Sequence, residues 1–190
     1  YTLNMSEPRW HFGERDLFYL VNHFMPEQSD KQRMIRVLQE DEEILQSMIE
    51  DPTLAETLLD EPEPVISVSP YLYFAVLLYR AREDLRQRPY TFEKDTRQMM
   101  VVFDTKPILE LLDRKSTLMY LARMLSSFVK IHSYTVTIRV REGIWRRMRF
   151  SDFDVDSLIS YSEITDEEYR FPIYKRIADI CLFTLGVFTE

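Results

Sequence analysis

Hydrophobic positions recur at helical spacing through most of the chain, switch to strict alternation after residue 132, and return to helical spacing after residue 154. Leu17, Leu20, Val21 and Phe24 predict a helix over 15–24, ended by Pro26. Asp30 then caps a longer predicted helix with the stripe Met34, Leu38, Leu45, Met48 and Ile49, closed by Asp51–Pro52. Thr53 opens a short helix carrying Leu54, Leu58 and Leu59. Glu61-Pro62-Glu63-Pro64 reads as a stiff connector, since each proline disfavours helix in the residue before it. Val65 to Val68 reads as a short extended lead into the next element.

That element, residues 69–88, is the one the chain is organised around. Tyr71 to Leu78 is an unbroken apolar run, and polar residues follow only after Tyr79. Ser69 before Pro70 is a strong helix start, because the hydroxyl caps an orphan N–H and proline at the first helical position loses none. A helix apolar on all sides is expected to be buried on all sides. The run is about half of what a bilayer requires, so a core helix is predicted and no membrane association.

Beyond Pro89 the pattern loosens, and Met99 to Phe103 is readable as a short strand or as a turn of helix. Asp104 or Thr105 with Pro107 restarts helix through Leu112. Ser116 or Thr117 opens the most regular stripe in the chain: Leu118, Leu121, Ala122, Leu125, Phe128 and Val129. Thr135, Thr137, Arg139 and Arg141 then alternate with Val136, Ile138 and Val140, Glu142-Gly143 marks a turn, and Ile144 to Phe150 returns, which is a β-hairpin. Asp152 or Asp154 caps a helix with Val155, Leu158 and Ile159, and a last helix carries Ile173, Ile177, Ile180, Cys181, Leu185 and Phe188. The predicted class is mainly α: a single globular domain over 1–190, with residues 1–14 as an N-terminal arm and one two-stranded hairpin at about 135–150.

Composition narrows the function classes. Three glycines, Gly13, Gly143 and Gly186, are too few and too scattered for a phosphate-cradling loop. One cysteine, Cys181, makes no internal disulfide, and no secretory segment opens the chain, so a cytoplasmic setting is expected. The net charge of −8 is strongly segregated. Residues 37–64 hold ten acids and no Lys or Arg. Residues 106–150 hold ten bases against three acids, +7, and residues 152–168 hold seven acids and no base. Such blocks either pair with one another or leave a basic face for a polyanion.

Arg139, Arg141, Arg146, Arg147 and Arg149 are the candidate polyanion-binding residues, with Trp145 among them. Strict alternation places Arg139 and Arg141 on one face and separates Arg146 from Arg147. Helix, helix, basic hairpin over 107–150 resembles the order of winged-helix DNA-binding domains, which implies a recognition helix offering Arg123 and Lys130 and a hairpin on the backbone. Asp152, Asp154, Asp156 and Glu163, with an aliphatic Ile159, resemble an EF-hand calcium loop, although Ser157 stands where that loop needs glycine. Helix capping accounts for the same acids. His11, His23 and His132 have no ligand spacing to one another. Cys181, among apolar residues on a helix, reads as a buried, inert thiol. Tyr71, Tyr73, Phe74 and Tyr79 are amphipathic enough for an interface. The leading expectation is a non-enzymatic helical regulatory or binding module that self-associates and needs no cofactor. Nucleic-acid binding through the hairpin comes second, and a metal-dependent enzyme or calcium-binding protein third.

Overall fold

The computed structural model describes residues 8–88, 90–94 and 99–187. It is mainly helical, as the periodicity predicts, and divides into two compact units, Tyr1–Ser126 and Ser127–Glu190.

The first unit begins with a segment that is no loose arm. Residues 1–7 of the expected arm lie outside the described residues, but Trp10 is buried, stacked 5.5 Å from Phe12 and packed against Tyr71 and Tyr79. Its backbone N–H donates to Glu42 Oε1 at 3.0 Å. Helix α1 (Glu14–Phe24) follows, then α2 (Lys31–Glu40) and α3 (Glu42–Glu50). Asp30 caps α2 as predicted, accepting from the Arg33 N–H at 3.0 Å. The single long helix expected from Asp30 to Asp51 is in fact two. Asp41 leaves helical geometry, and its carboxylate accepts from the N–H groups of Glu43 and Ile44, each at 3.1 Å, so it ends one helix and caps the next.

Asp51 repeats that device for α4 (Pro52–Asp60). The predicted extended lead is instead a single helical turn, α5 (Pro64–Ser67), closed by the Val68 N–H on the Pro64 carbonyl. Helix α6 (Pro70–Gln87) starts where the sequence places it, with Ser69 Oγ accepting from the Leu72 N–H at 3.1 Å. It packs on α3 and α4. Its burial is one-sided rather than complete: Leu72, Ala75, Val76 and Tyr79 are buried, whereas Tyr71, Tyr73, Phe74 and Leu78 are partly covered at the edge of the core. The anchor of α6 is Asp16 of α1, itself buried, which accepts from both the Ser69 N–H and hydroxyl at 2.6 Å.

Strands β1 (Tyr90–Lys94) and β2 (Met99–Asp104) pair antiparallel, which settles the stretch that the pattern left open. Helices α7 (Lys106–Leu112) and α8 (Lys115–Ser127) close the unit, burying Leu112, Leu118, Met119 and Ala122.

The second unit carries the predicted hairpin, β3 (Ser133–Arg141) and β4 (Ile144–Ser151), turning through Gly143 at φ +74°, a conformation that disfavours any residue with a Cβ. It continues with α9 (Val155–Glu163), a 3-10 turn at Glu167–Tyr169, and α10 (Phe171–Val187). Phe188 lies outside the described residues. Leu158, Ile173 and Ile180 form a small core with Phe128, Val155, Tyr161 and Ile177 against it. Arg176 ties the unit together: Nε donates to the Asp152 carbonyl at 2.7 Å, Nη1 to Ser127 Oγ at 2.6 Å, and the guanidinium lies 4.3 Å over the Phe128 ring.

Candidate functional site

The pairing register of β3 and β4 sorts the arginines. Tyr134 stands opposite Phe150 and Val136 opposite Met148, and this face turns inward, with Phe150 buried against Tyr161 at 4.9 Å. The other face collects the pairs Thr135–Arg149, Thr137–Arg147 and Arg139–Trp145, every one of them exposed. Alternation in β4 puts Arg146 on the inward-facing set, although it lies near the open end of the hairpin and is itself exposed. The register shifts between Arg139 and Arg141, so Arg141 pairs with Ile144 and does not continue the row that strict alternation assigned to it. Three of the five candidate arginines therefore share one surface: Arg139, Arg147 and Arg149.

Trp145 lies in the same row and is 62% exposed. Arg149 is held in place by donating from Nε and Nη2 to Ser133 Oγ at 3.1 and 2.8 Å. Among the described residues, Arg139 and Arg147 form no ion pair with an acid of their own unit. Asp166, which shares a cleft with Arg139, is exposed, and Asp152, at the far end of the hairpin, takes the His132 N–H at 2.7 Å and pairs with Arg176 at 3.5 Å. Beside the hairpin lies a cleft of about 500 Å³ lined by Val136, Arg139, Tyr161, Thr165 and the exposed Tyr169. Sequence spacing placed the arginines and Trp145 close together. It could not find Tyr169, which reaches the cleft only through the turn after α9.

The acidic run of the first unit is partly absorbed inside that unit. Glu42 pairs with Lys115, Glu50 with Arg82 at 3.5 Å, and Glu61 accepts from the Tyr19 hydroxyl at 2.8 Å. Glu40, Glu43, Glu56, Asp60 and Glu63 are exposed.

The four carboxylates of the calcium-like loop do not converge. An EF-hand loop stays irregular through most of its twelve positions, whereas α9 begins at Val155, its fourth. Asp156 and Glu163 then lie roughly 10 Å apart along the helix axis. Asp152 is committed to His132 and Arg176, and Asp154 is exposed. No group of three metal-ligating side chains occurs among the described residues. His23 Nε2 lies 3.5 Å from Thr53 Oγ1, and His11 and His132 are exposed. Of the two cations that a recognition helix would offer, Arg123 leans over the Tyr71 ring at 5.8 Å and Lys130 lies past the end of α8.

Comparison with family models, curated proteins and solved structures finds no match to this chain, so its function is argued from geometry alone.

Proposed function

We propose that the chain is a binding module that holds single-stranded nucleic acid on the outer face of the β3–β4 hairpin. The observation that carries this reading is the row Arg139, Arg147, Arg149 and Trp145 on one exposed face, with the first two arginines unpaired by acids of their own unit. Guanidinium groups suit phosphate oxygens, and an exposed indole offers a π-face on which any unpaired base stacks. Thr135 and Thr137 keep the strip between them narrow and hydrogen-bonding. A duplex hides its base faces, so Trp145 favours a single strand over a double one. Arg139 also lines the cleft that holds Tyr169, at the edge of the same hairpin.

Anisotropy titration of a labelled oligothymidylate at low salt tests this. Binding in the micromolar range is expected, with a salt slope of roughly −2 for three phosphate contacts on a single strand. Trp145→Ala should weaken it by about tenfold, the low end of what stacking contributes. Arg147→Glu should weaken it further, and Arg146→Glu much less. Absence of binding at tens of micromolar protein, or equal losses from Arg146→Glu and Arg147→Glu, would remove the assignment.

A further inference from the structure

Helix α10 is apolar on two opposite faces. Ile173 and Ile180 point into the second unit's core, with Ile177 packed against it. The other face is solvent-exposed and carries Phe171 (75% exposed), Tyr174 (51%), Leu182 (49%) and Leu185 (71%), together with Ala178 and Cys181. At 100° per residue all six lie within about 60° of Ala178. The set Phe171, Tyr174, Ala178, Cys181 and Leu185 is spaced three, four, three, four, the seam that one helix presents to another. Cys181 is thus exposed on this seam, against the expectation of a buried thiol.

We infer that this face of α10 is a homodimer surface, occupied by α10 of a second copy running antiparallel about a two-fold axis at Ala178. Three observations choose that occupant. The face is palindromic in size: Phe171 and Leu185 are equidistant from Ala178, and so are Tyr174 and Leu182. An antiparallel copy therefore sets large against large at both ends, Cys181 against the stem of Lys175, and Ala178 against Ala178 at the middle, where small side chains let the backbones approach. The face also carries no uncompensated charge. Lys175 bonds Asp179 at 2.6 Å, and Arg176, the remaining charged residue of the helix, turns to Asp152 and Ser127. Lastly, covering the four large side chains on both copies buries about 900 Å², above most lattice contacts and below the roughly 1,200 Å² of a stable interface, so a weak dimer is expected.

The inference is independent of the hairpin reading, since α10 contributes nothing to that face. Sedimentation equilibrium of the full chain should show dimer at about 100 μM, with Kd in the range typical of small interfaces. Leu182→Glu should be monomeric while keeping the wild-type circular dichroism. Ala178→Cys in a Cys181→Ser background should cross-link efficiently under mild oxidation, because the two-fold axis brings that position against itself. The wild-type Cys181 should not cross-link, since an antiparallel pair separates its two copies by roughly 9 Å along the axis. A monomeric wild type, a dimeric Leu182→Glu, a cross-linked wild type, or a dimer in which Ala178→Cys fails to cross-link would each overturn the proposal.

Discussion

The two units divide their apolar residues differently between core and surface. In the first, residues from Trp10 to Ala122 merge into one continuous core, and α6 contributes Leu72, Ala75, Val76 and Tyr79 to it. In the second, three buried aliphatics with four partly covered neighbours, and the buried Phe150 of the hairpin, serve a hairpin and two helices. Meanwhile Trp145, Tyr169, Phe171 and Leu185 stand more than half exposed. A short unit buries too little surface to be held by its core alone, and here polar ties around Arg176 and Asp152 supplement it. The contrast bears on where the proposed binding surfaces lie. The first unit gathers most of its large side chains into one core, although Leu59, Ile66 and Leu111 stay exposed, while the second leaves a larger share at the surface, beside Arg139 and Arg147.

The sharpest way to break this comparison is to truncate one leucine in each unit. Leu72 is fully buried at the centre of the first core, so Leu72→Ala should cost about 3–5 kcal/mol through lost transfer energy and the cavity left behind. Leu182→Ala, on the exposed face of α10, should cost less than about 0.5 kcal/mol in dilute solution, where no dimer forms. Urea melts of the two variants at low protein concentration check this. Equal midpoints would mean that the first unit does not carry the stability.

Next in size is Asp16→Ala. It removes the acceptor of both the half-buried Ser69 N–H and hydroxyl. A loss of about 2–3 kcal/mol is expected, since two hydrogen bonds to a buried side chain are lost at once. Asp16→Asn, which keeps one oxygen, should recover part of it. Chemical denaturation of the three proteins gives the ranking, and an Ala variant within experimental error of wild type would detach α6 from its supposed anchor.

Much of this architecture was legible because local chemistry and global packing agree. Ser69-Pro70 and Asp30 are caps whose bonds form as read, and Asp51-Pro52 ends one helix as read, although Asp51 rather than Thr53 also caps the next. The hairpin follows from alternation and Gly143. What was not legible shares one cause: periodicity reports how apolar a face is, not what covers it. Asp41 lies in a gap of the Leu38–Leu45 stripe that suits either a continuous helix or a cap. The outer face of α10 reads from sequence as core, because a helix apolar on both sides does not say which side finds a neighbour. Grouping Arg139, Arg147 and Arg149 needed the register, and excluding Arg141 needed the irregularity after Arg139.

A pH titration sharpens the comparison through tyrosines. Burial, foremost, pushes the Tyr79 hydroxyl up to about 12, and in the same unit burial and the bond to Glu61 raise Tyr19 from its ordinary value. Below pH 10 both folded and unfolded chains keep these protons, and the stabilisation is whole. Between pH 10 and about 12 the unfolded chain releases the Tyr79 proton while the folded one retains it, so stability falls as pH rises. Thermal melts across that window should show the fall, and Tyr79→Phe should flatten it. A wild-type midpoint that does not move between pH 10 and 12 would contradict the burial of this hydroxyl.

The smallest expected effect belongs to the second unit, at the start of α9. Asp156 lies exposed in the first helical turn, where it faces the helix dipole, and Asp154 occupies the capping position without bonding the N–H groups beyond it. Their carboxylates therefore act through the field of the helix N-terminus, worth a few tenths of a kcal/mol to about 1 kcal/mol and screened by salt. Asp156→Asn should lower the melting temperature by about 1–3 °C at low ionic strength and by less at high salt. If the loop resembling an EF-hand bound calcium, the ion would have to gather Asp152, Asp154, Asp156 and Glu163, and that would require unwinding α9 and releasing Asp152 from His132 and Arg176. Millimolar calcium should accordingly leave the melting temperature of wild type unchanged. A rise of several degrees that Asp154→Ala abolishes would show that the helix gives way to a metal loop, and the second unit would then owe its stability to an ion rather than to its polar ties.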